Sequence, residues 1–151
     1  MIPPAENVTN IGADLNDTEW FDAIDDSRGV VFFAAGVFYY FLSSDIQKLF
    51  TAMAERFKGG RLSFDAANKK AVKLMLKTWV KAAGITDIDR YFYINNLDTD
   101  LKAWLPGTEI SAKGYMLGYH DLKTPSVSGL FRFLAKVGDG YMQMRIVRIN
   151  F

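Results

Sequence analysis

At 151 residues, half of them hydrophobic and 15% aromatic, the chain is long enough for one domain with a substantial core. Eighteen basic against seventeen acidic residues leave a net charge of +1, which excludes a nucleic-acid surface built on bulk charge. Cysteine is absent and the sole histidine, His120, cannot build a metal site alone, so disulfides and a histidine or thiolate metal centre are excluded as well.

The N-terminal segment Met1-Ile2-Pro3-Pro4 has no basic region followed by an apolar stretch, and no later segment reaches the roughly 18 to 20 apolar residues of a membrane span. The expectation is a soluble, cytoplasmic protein with a small or neutral partner. Residues 7 to 13 alternate loosely through Val8 and Ile11 and predict a first strand. Asn16 or Asp17 can cap a short helix over 18 to 25, because a side-chain oxygen there accepts from an unpaired amide of the first turn.

Turn residues Asp25 to Gly29 lead into Val30-Val31-Phe32-Phe33-Ala34-Ala35, a run without charge that predicts a strand buried on both faces. Ligands of open α/β sheets lie outside the carboxyl ends of such strands, which directs attention to Ala34 through Tyr40. A helix follows from Ser43, with Ile46, Leu49, Phe50, Met53, Ala54 and Phe57 at spacings of three and four. It stops at Lys58-Gly59-Gly60. Arg61 to Asp65 predicts a second, more alternating strand, and 69 to 83 an amphipathic helix closed by Gly84.

This strand–helix alternation implies parallel pairing through right-handed crossovers. After residue 90 the rhythm changes. Tyr91 to Ile94 suggests a strand, Asp98 to Trp104 a short helix and Tyr115 to Tyr119 a strand. Phe131 to Ala135 fits either type, and Tyr141 to Phe151 predicts a terminal strand with an antiparallel finish. No repeat or interdomain linker stands out, so 1–151 reads as a single domain.

Several residues have two readings. Asp14, with Leu15, Asn16 and Asp17, either faces a ligand or caps a helix, and capping is the commoner role. The small residues Ala34, Ala35 and Gly36 admit close backbone approach or simply pack tightly. Tyr39 and Tyr40 present hydroxyls and ring faces to a substrate or are half-buried packing residues. Asp65 is a site acid or the cap of the next helix. His120 and Asp121 point to opposite faces of an extended segment, which disfavours a relay. Lys69, Lys70, Lys73, Lys77 and Lys81 read as a solvated helix face.

Taken together, Asn10-Ile11-Gly12-Ala13-Asp14-Leu15-Asn16-Asp17 with Trp20, Phe32 to Tyr40, Gly60 to Asn68 and Pro125-Ser126-Val127-Ser128-Gly129 resemble a class I S-adenosylmethionine-dependent methyltransferase. The resemblance is to the leucine carboxyl methyltransferase-like branch that includes O-methyltransferases of polyketide biosynthesis. It implies an open, mostly parallel, Rossmann-like α/β sheet with an antiparallel C-terminal finish, lacking the family's first two strands, its glycine-rich cofactor loop and the acid that holds the ribose. The domain would therefore be an incomplete one.

By this resemblance Asp14 and Leu15 border the adenine of S-adenosylmethionine, Ala34, Ala35 and Gly36 line its methionine side, and Val37, Tyr39 and Tyr40 edge the pocket of a small-molecule acceptor. In carboxyl-methylating relatives an acid commonly stands at the position of Ala35, which draws this chain toward the polyketide-type branch. No metal is implied. The resemblance leaves the apolar strand at 30 to 35 without a neighbour, so either residues 7 to 13 pair with it, or two copies form a homodimer, or a partner chain supplies the N-terminal half. An active transferase and a non-catalytic relative that associates through this edge both remain open.

Overall fold

In a computed structural model that describes residues 7–79 and 91–151, with only the backbone of Trp79, four strands form one sheet. They are β1 (Val31–Ala34), β2 (Arg61–Ala66), β3 (Glu109–Gly114) and β4 (Arg145–Asn150), in the order β1-β2-β4-β3. β1 and β2 are parallel, while β4 is antiparallel to both β2 and β3. The α/β class and the antiparallel finish are as expected; a mostly parallel sheet is not, because one parallel pair stands beside two antiparallel ones.

Helix α1 (Ser43–Arg56) crosses from β1 to β2 and buries Ile46, Leu49, Phe50 and Met53, one face at the predicted spacing. It ends where Gly59, at φ 83°, takes the left-handed turn. The amide of Gly59 donates to the Phe151 carbonyl, and Gly60 and Phe151 bond in return, so the same turn anchors the end of β4. Against α1 the sheet packs Leu62, Phe64, Val147 and Ile149, all buried. Phe50 meets Phe38, Phe64 and Phe92 with ring centroids 5.2 to 6.0 Å apart. Helix α2 (Lys69–Trp79) follows β2 and buries Val72 and Leu76 in a smaller cluster with Tyr39 and Ala67. The remainder of the helix expected to 83, with Lys81 and the closing Gly84, lies outside the described residues.

The main correction concerns β1. Its residues alternate between exposed and half-buried, with Val31 54% and Phe33 81% exposed, so the run is not buried on both faces. It is an edge strand, bonded only to β2 among the described strands. The strand expected over 7 to 13 is absent, and so it does not close that edge. Val8 and Ile11 have no surface to bury against, and the chain turns instead, with the Asp17 amide donating to the Asp14 carbonyl. The short helix expected over 18 to 25 is a single 3-10 turn, Glu19–Ala23.

Later boundaries shift for local reasons. Tyr91 to Ile94 is extended but makes one isolated bridge, Tyr91 to Leu42, because its other bonds go to Phe41 and Ala67 rather than to a strand. Asp98–Lys102 is one π-helical turn, shorter than the helix expected to Trp104. No strand forms at Tyr115 to Tyr119; the strand lies just before it, at Glu109–Gly114, and the Asp139 carboxylate gathers the amides of Met116 (3.0 Å) and Leu117 (2.6 Å) into a turn. Phe131 to Ala135 is helical, within α3 (Gly129–Lys136), and the Ser128 hydroxyl accepts from the Phe131 amide at its start. The terminal strand begins at Arg145, because Val137–Tyr141 forms a π-helical turn ahead of it.

Truncating Phe50 should cost about 3 to 5 kcal/mol, a ring's burial plus the cavity left behind. Phe33→Ser, on the bare face, should change stability by less than about 0.5 kcal/mol. Denaturant unfolding of the two variants checks the contrast; equal losses would place Phe33 in a buried contact.

Candidate functional site

The carboxyl ends of β1 and β2 lie side by side, and a single hydrogen bond ties them: the Gly36 amide donates to Asp65 Oδ1 at 2.6 Å. Gly36 has φ 66° and nothing within 4 Å of where a Cβ would sit, so the strand end turns sharply and leaves open space beside it. The turn that follows is the 3-10 segment Phe38–Tyr40. Phe38 enters the core, whereas Tyr39 and Tyr40 face a cavity of about 560 Å³ with Gly36 and Asp65. Its far wall comes from α2, through Ala71, Val72 and Met75, and its rim from Met142 and Met144.

Asp65 therefore serves the site rather than capping α2. Capping falls to the buried Asn68, whose side-chain oxygen accepts from the Ala71 amide at 3.0 Å while its nitrogen donates to the Tyr141 carbonyl at 2.8 Å. The Asn68 amide also donates to the Met142 carbonyl, so one residue clasps the helix to the rim. Gln143, between the two rim methionines, adopts φ 51°, and its buried side-chain oxygen has no partner. A non-glycine residue in that conformation stores about 1 to 3 kcal/mol.

The Tyr39 hydroxyl is pushed far above its ordinary value of 10.0, chiefly by burial and then by the charge and hydrogen bond of Asp65. It stays a proton donor across the physiological range. A raised value stabilises the fold fully below about pH 10, and that contribution is lost as pH climbs toward the folded value.

The other expected residues fall into neighbouring depressions. Ala34, Ala35 and Gly36 line a groove with Ser63, Tyr115 and Tyr119, which adjoins the first cavity across Gly36 and Asp65. Leu15 and Ala34 come together on the other side, in a pocket of about 200 Å³ that also holds Val37, so Val37 sits with the Leu15 group and not with Tyr39 and Tyr40. Asp14 lies in a separate hollow lined by residues between 11 and 23, which shares only Trp20 with the pocket that holds Leu15. Its carboxylate accepts from the Asn16 amide at 2.9 Å, and Asp17 accepts from Thr18 and Glu19, so both acids are engaged in local turns.

His120 is exposed beside Lys123, Arg132 and Lys136, and the hydrogen bond that Asp121 accepts comes from the Lys123 amide, not from His120. On the lysine face, Lys69 and Lys70 lie over the rings of Tyr93 and Tyr141. Sequence reasoning missed Met142, Met144 and Ala71; only the position of Met142 and Met144 just before the final strand hinted at them. Among the described residues there is no group of three or more acidic or histidine side chains placed to hold a metal, and no helix long and apolar enough to cross a membrane. No protein-family model matches the chain, and no curated protein matches it.

Two outcomes follow. Asn68→Ala should lose about 2 kcal/mol, since it orphans the Ala71 amide and frees the rim, whereas Gln143→Gly should be neutral or stabilising by up to about 1 kcal/mol. Thermal unfolding tests both signs. Tyr39→Phe should flatten the fall of stability above about pH 10, and a wild-type slope identical to that of the variant would remove Tyr39 from the titration.

Proposed function

We propose that this chain is the acceptor-holding part of an S-adenosylmethionine-dependent O-methyltransferase that acts on the hydroxyl or carboxyl of a polyketide-type small molecule. The observation that carries this reading is the apolar cavity at the joined carboxyl ends of β1 and β2, where Gly36, Tyr39, Tyr40 and Asp65 meet. Ligands of open α/β sheets gather at such strand ends. The sheet supports the same reading: a parallel pair followed by an antiparallel finish is what the resemblance asks of its last strands.

The residues fit one wall of a cofactor cleft. Leu15 and Val37 offer an apolar shelf, and Ala34, Ala35 and the open turn at Gly36 leave room for close backbone approach. Among the described residues no carboxylate lines the Leu15 pocket to hold ribose hydroxyls, and the outer edge of β1, where the resemblance puts the strand with the glycine-rich loop, is bare. When bound, the cofactor supplies a methyl group on an already activated sulfonium. The chain's own contribution is then placement: Tyr39 and Tyr40 flank the acceptor, Asp65 receives a hydrogen bond from it, and the methionine rim excludes water.

The bare edge, with Phe33 beside it, favours a second reading: a non-catalytic relative that associates through β1, as a homodimer or with a partner chain. Titration of S-adenosylmethionine into isotope-labelled protein separates the two. The transferase reading expects the amide signals of Leu15, Ala34, Ala35 and Gly36 to move together, with a Kd on the order of 1 mM because the described residues offer the cofactor one wall. If those signals stay in place at saturating ligand, the non-catalytic reading stands.

A further inference from the structure

Of the twelve described residues that line this cavity, Gly36 among them, one is charged, Asp65, while Ala67, Ala71, Val72, Leu74 and the three methionines make most of the wall apolar. Its polar groups are largely committed. Thr78 donates to the Leu74 and Met75 carbonyls, and the Tyr39 hydroxyl is engaged with Asp65. Asp65 Oδ1 takes the Gly36 amide, but a carboxylate has about four acceptor sites, so capacity for a further donor remains. The nearby cation Lys70 does not line the cavity; it lies over the Tyr141 ring, 3.5 Å from that hydroxyl. A volume of about 560 Å³ suits a small molecule of two or three rings, and methionines adapt to a flat apolar face.

We propose that the cavity takes a neutral, flat, largely apolar molecule that donates a hydroxyl to Asp65, and that it rejects the same ring system carrying a carboxylate. This rests on the cavity being the acceptor site, and it narrows the acceptor from hydroxyl or carboxyl to hydroxyl. A second carboxylate would enter an apolar space that already holds one negative charge and, among the described residues, no cation. A ring without a donor would leave the open acceptor sites of Asp65 unmet.

Naphthol, its methyl ether and naphthoate, titrated at neutral pH into isotope-labelled protein, test the class. Naphthol should bind at least about fivefold more tightly than the ether and at least about tenfold more tightly than naphthoate. The shifted amides should be those of Ala67, Ala71, Val72 and Met144. Asp65→Asn keeps an oxygen for the Gly36 amide and should bring naphthoate within about twofold of naphthol. Naphthoate binding as tightly as naphthol to the wild type, or shifts on another face, overturns the proposal, and the wild-type series decides it even if the variant does not fold. Loss of naphthol binding with the cofactor shifts at Ala34 to Gly36 intact removes the acceptor class alone; loss of both removes the transferase reading with it.

Discussion

The aromatic seam between α1 and β2 is what the remaining geometry depends on. Phe50 projects from the helix, Phe64 from the strand, and Phe38 and Phe92 close around them, every centroid within 6.2 Å of the next. Such contacts prefer tilted and edge-on arrangements, so they fix orientation as well as excluding water. Phe38 is the hinge between core and site. Because its ring is held in the seam, Tyr39 and Tyr40 must emerge on the opposite side of the same 3-10 turn, over the end of β2. Phe92 acts likewise on the 91–94 segment, which it draws against α1 although no strand is available to pair with it.

What the amino-acid sequence made legible follows from how local each signal is. The helix at 43 to 56 and the strand at 61 to 66 each carry their own period and their own stop, and both emerged close to where the pattern put them. The run at 30 to 35 misled because hydrophobicity on both faces of a strand reports that both faces avoid water somewhere, and does not say where. Here Phe32 finds Phe57 and Trp20, while Phe33 stays 81% exposed. Residues 7 to 13 show the converse: alternation without a neighbouring strand gives no ladder. The ends of β3 and β4 were illegible for a third reason. That of β3 is set by Asp139 reaching back across 22 and 23 residues to the amides of Leu117 and Met116, and the start of β4 by the π-helical turn Val137–Tyr141 ahead of it, neither with a local pattern.

The candidate site divides along the same line. Gly36, Tyr39, Tyr40 and Asp65 were visible because small residues, aromatics and an acid at strand ends are a local signature. The rim was not, because Met142 and Met144 reach it through the left-handed Gln143 and through Asn68, which joins residues 73 positions apart. A strained residue with an unmet buried oxygen persists only where its surroundings over-determine it. The Asn68 clasp and the bonds from Met144 to Gly138 and from Tyr115 to Met144 supply that constraint.

The Asp65–Gly36 hydrogen bond makes the two halves of the site interdependent. Asp65 stands at the boundary of both the cavity under Tyr39 and the groove beside Ala34 and Ala35. A hydrogen bond of 2.6 Å from a turning glycine to Asp65 ties the strand end to β2, and it is strongest with a charged acceptor. Anything that draws on that charge from the cavity side therefore bears on the conformation of Gly36, and so on the groove beyond it. An acceptor hydroxyl would share the carboxylate through its free acceptor sites, leaving the Gly36 turn intact, whereas a cation competing for Oδ1 would weaken the bond to Gly36 and so bear on both compartments. The preference for a neutral donor and the integrity of the neighbouring groove thus trace to one side chain.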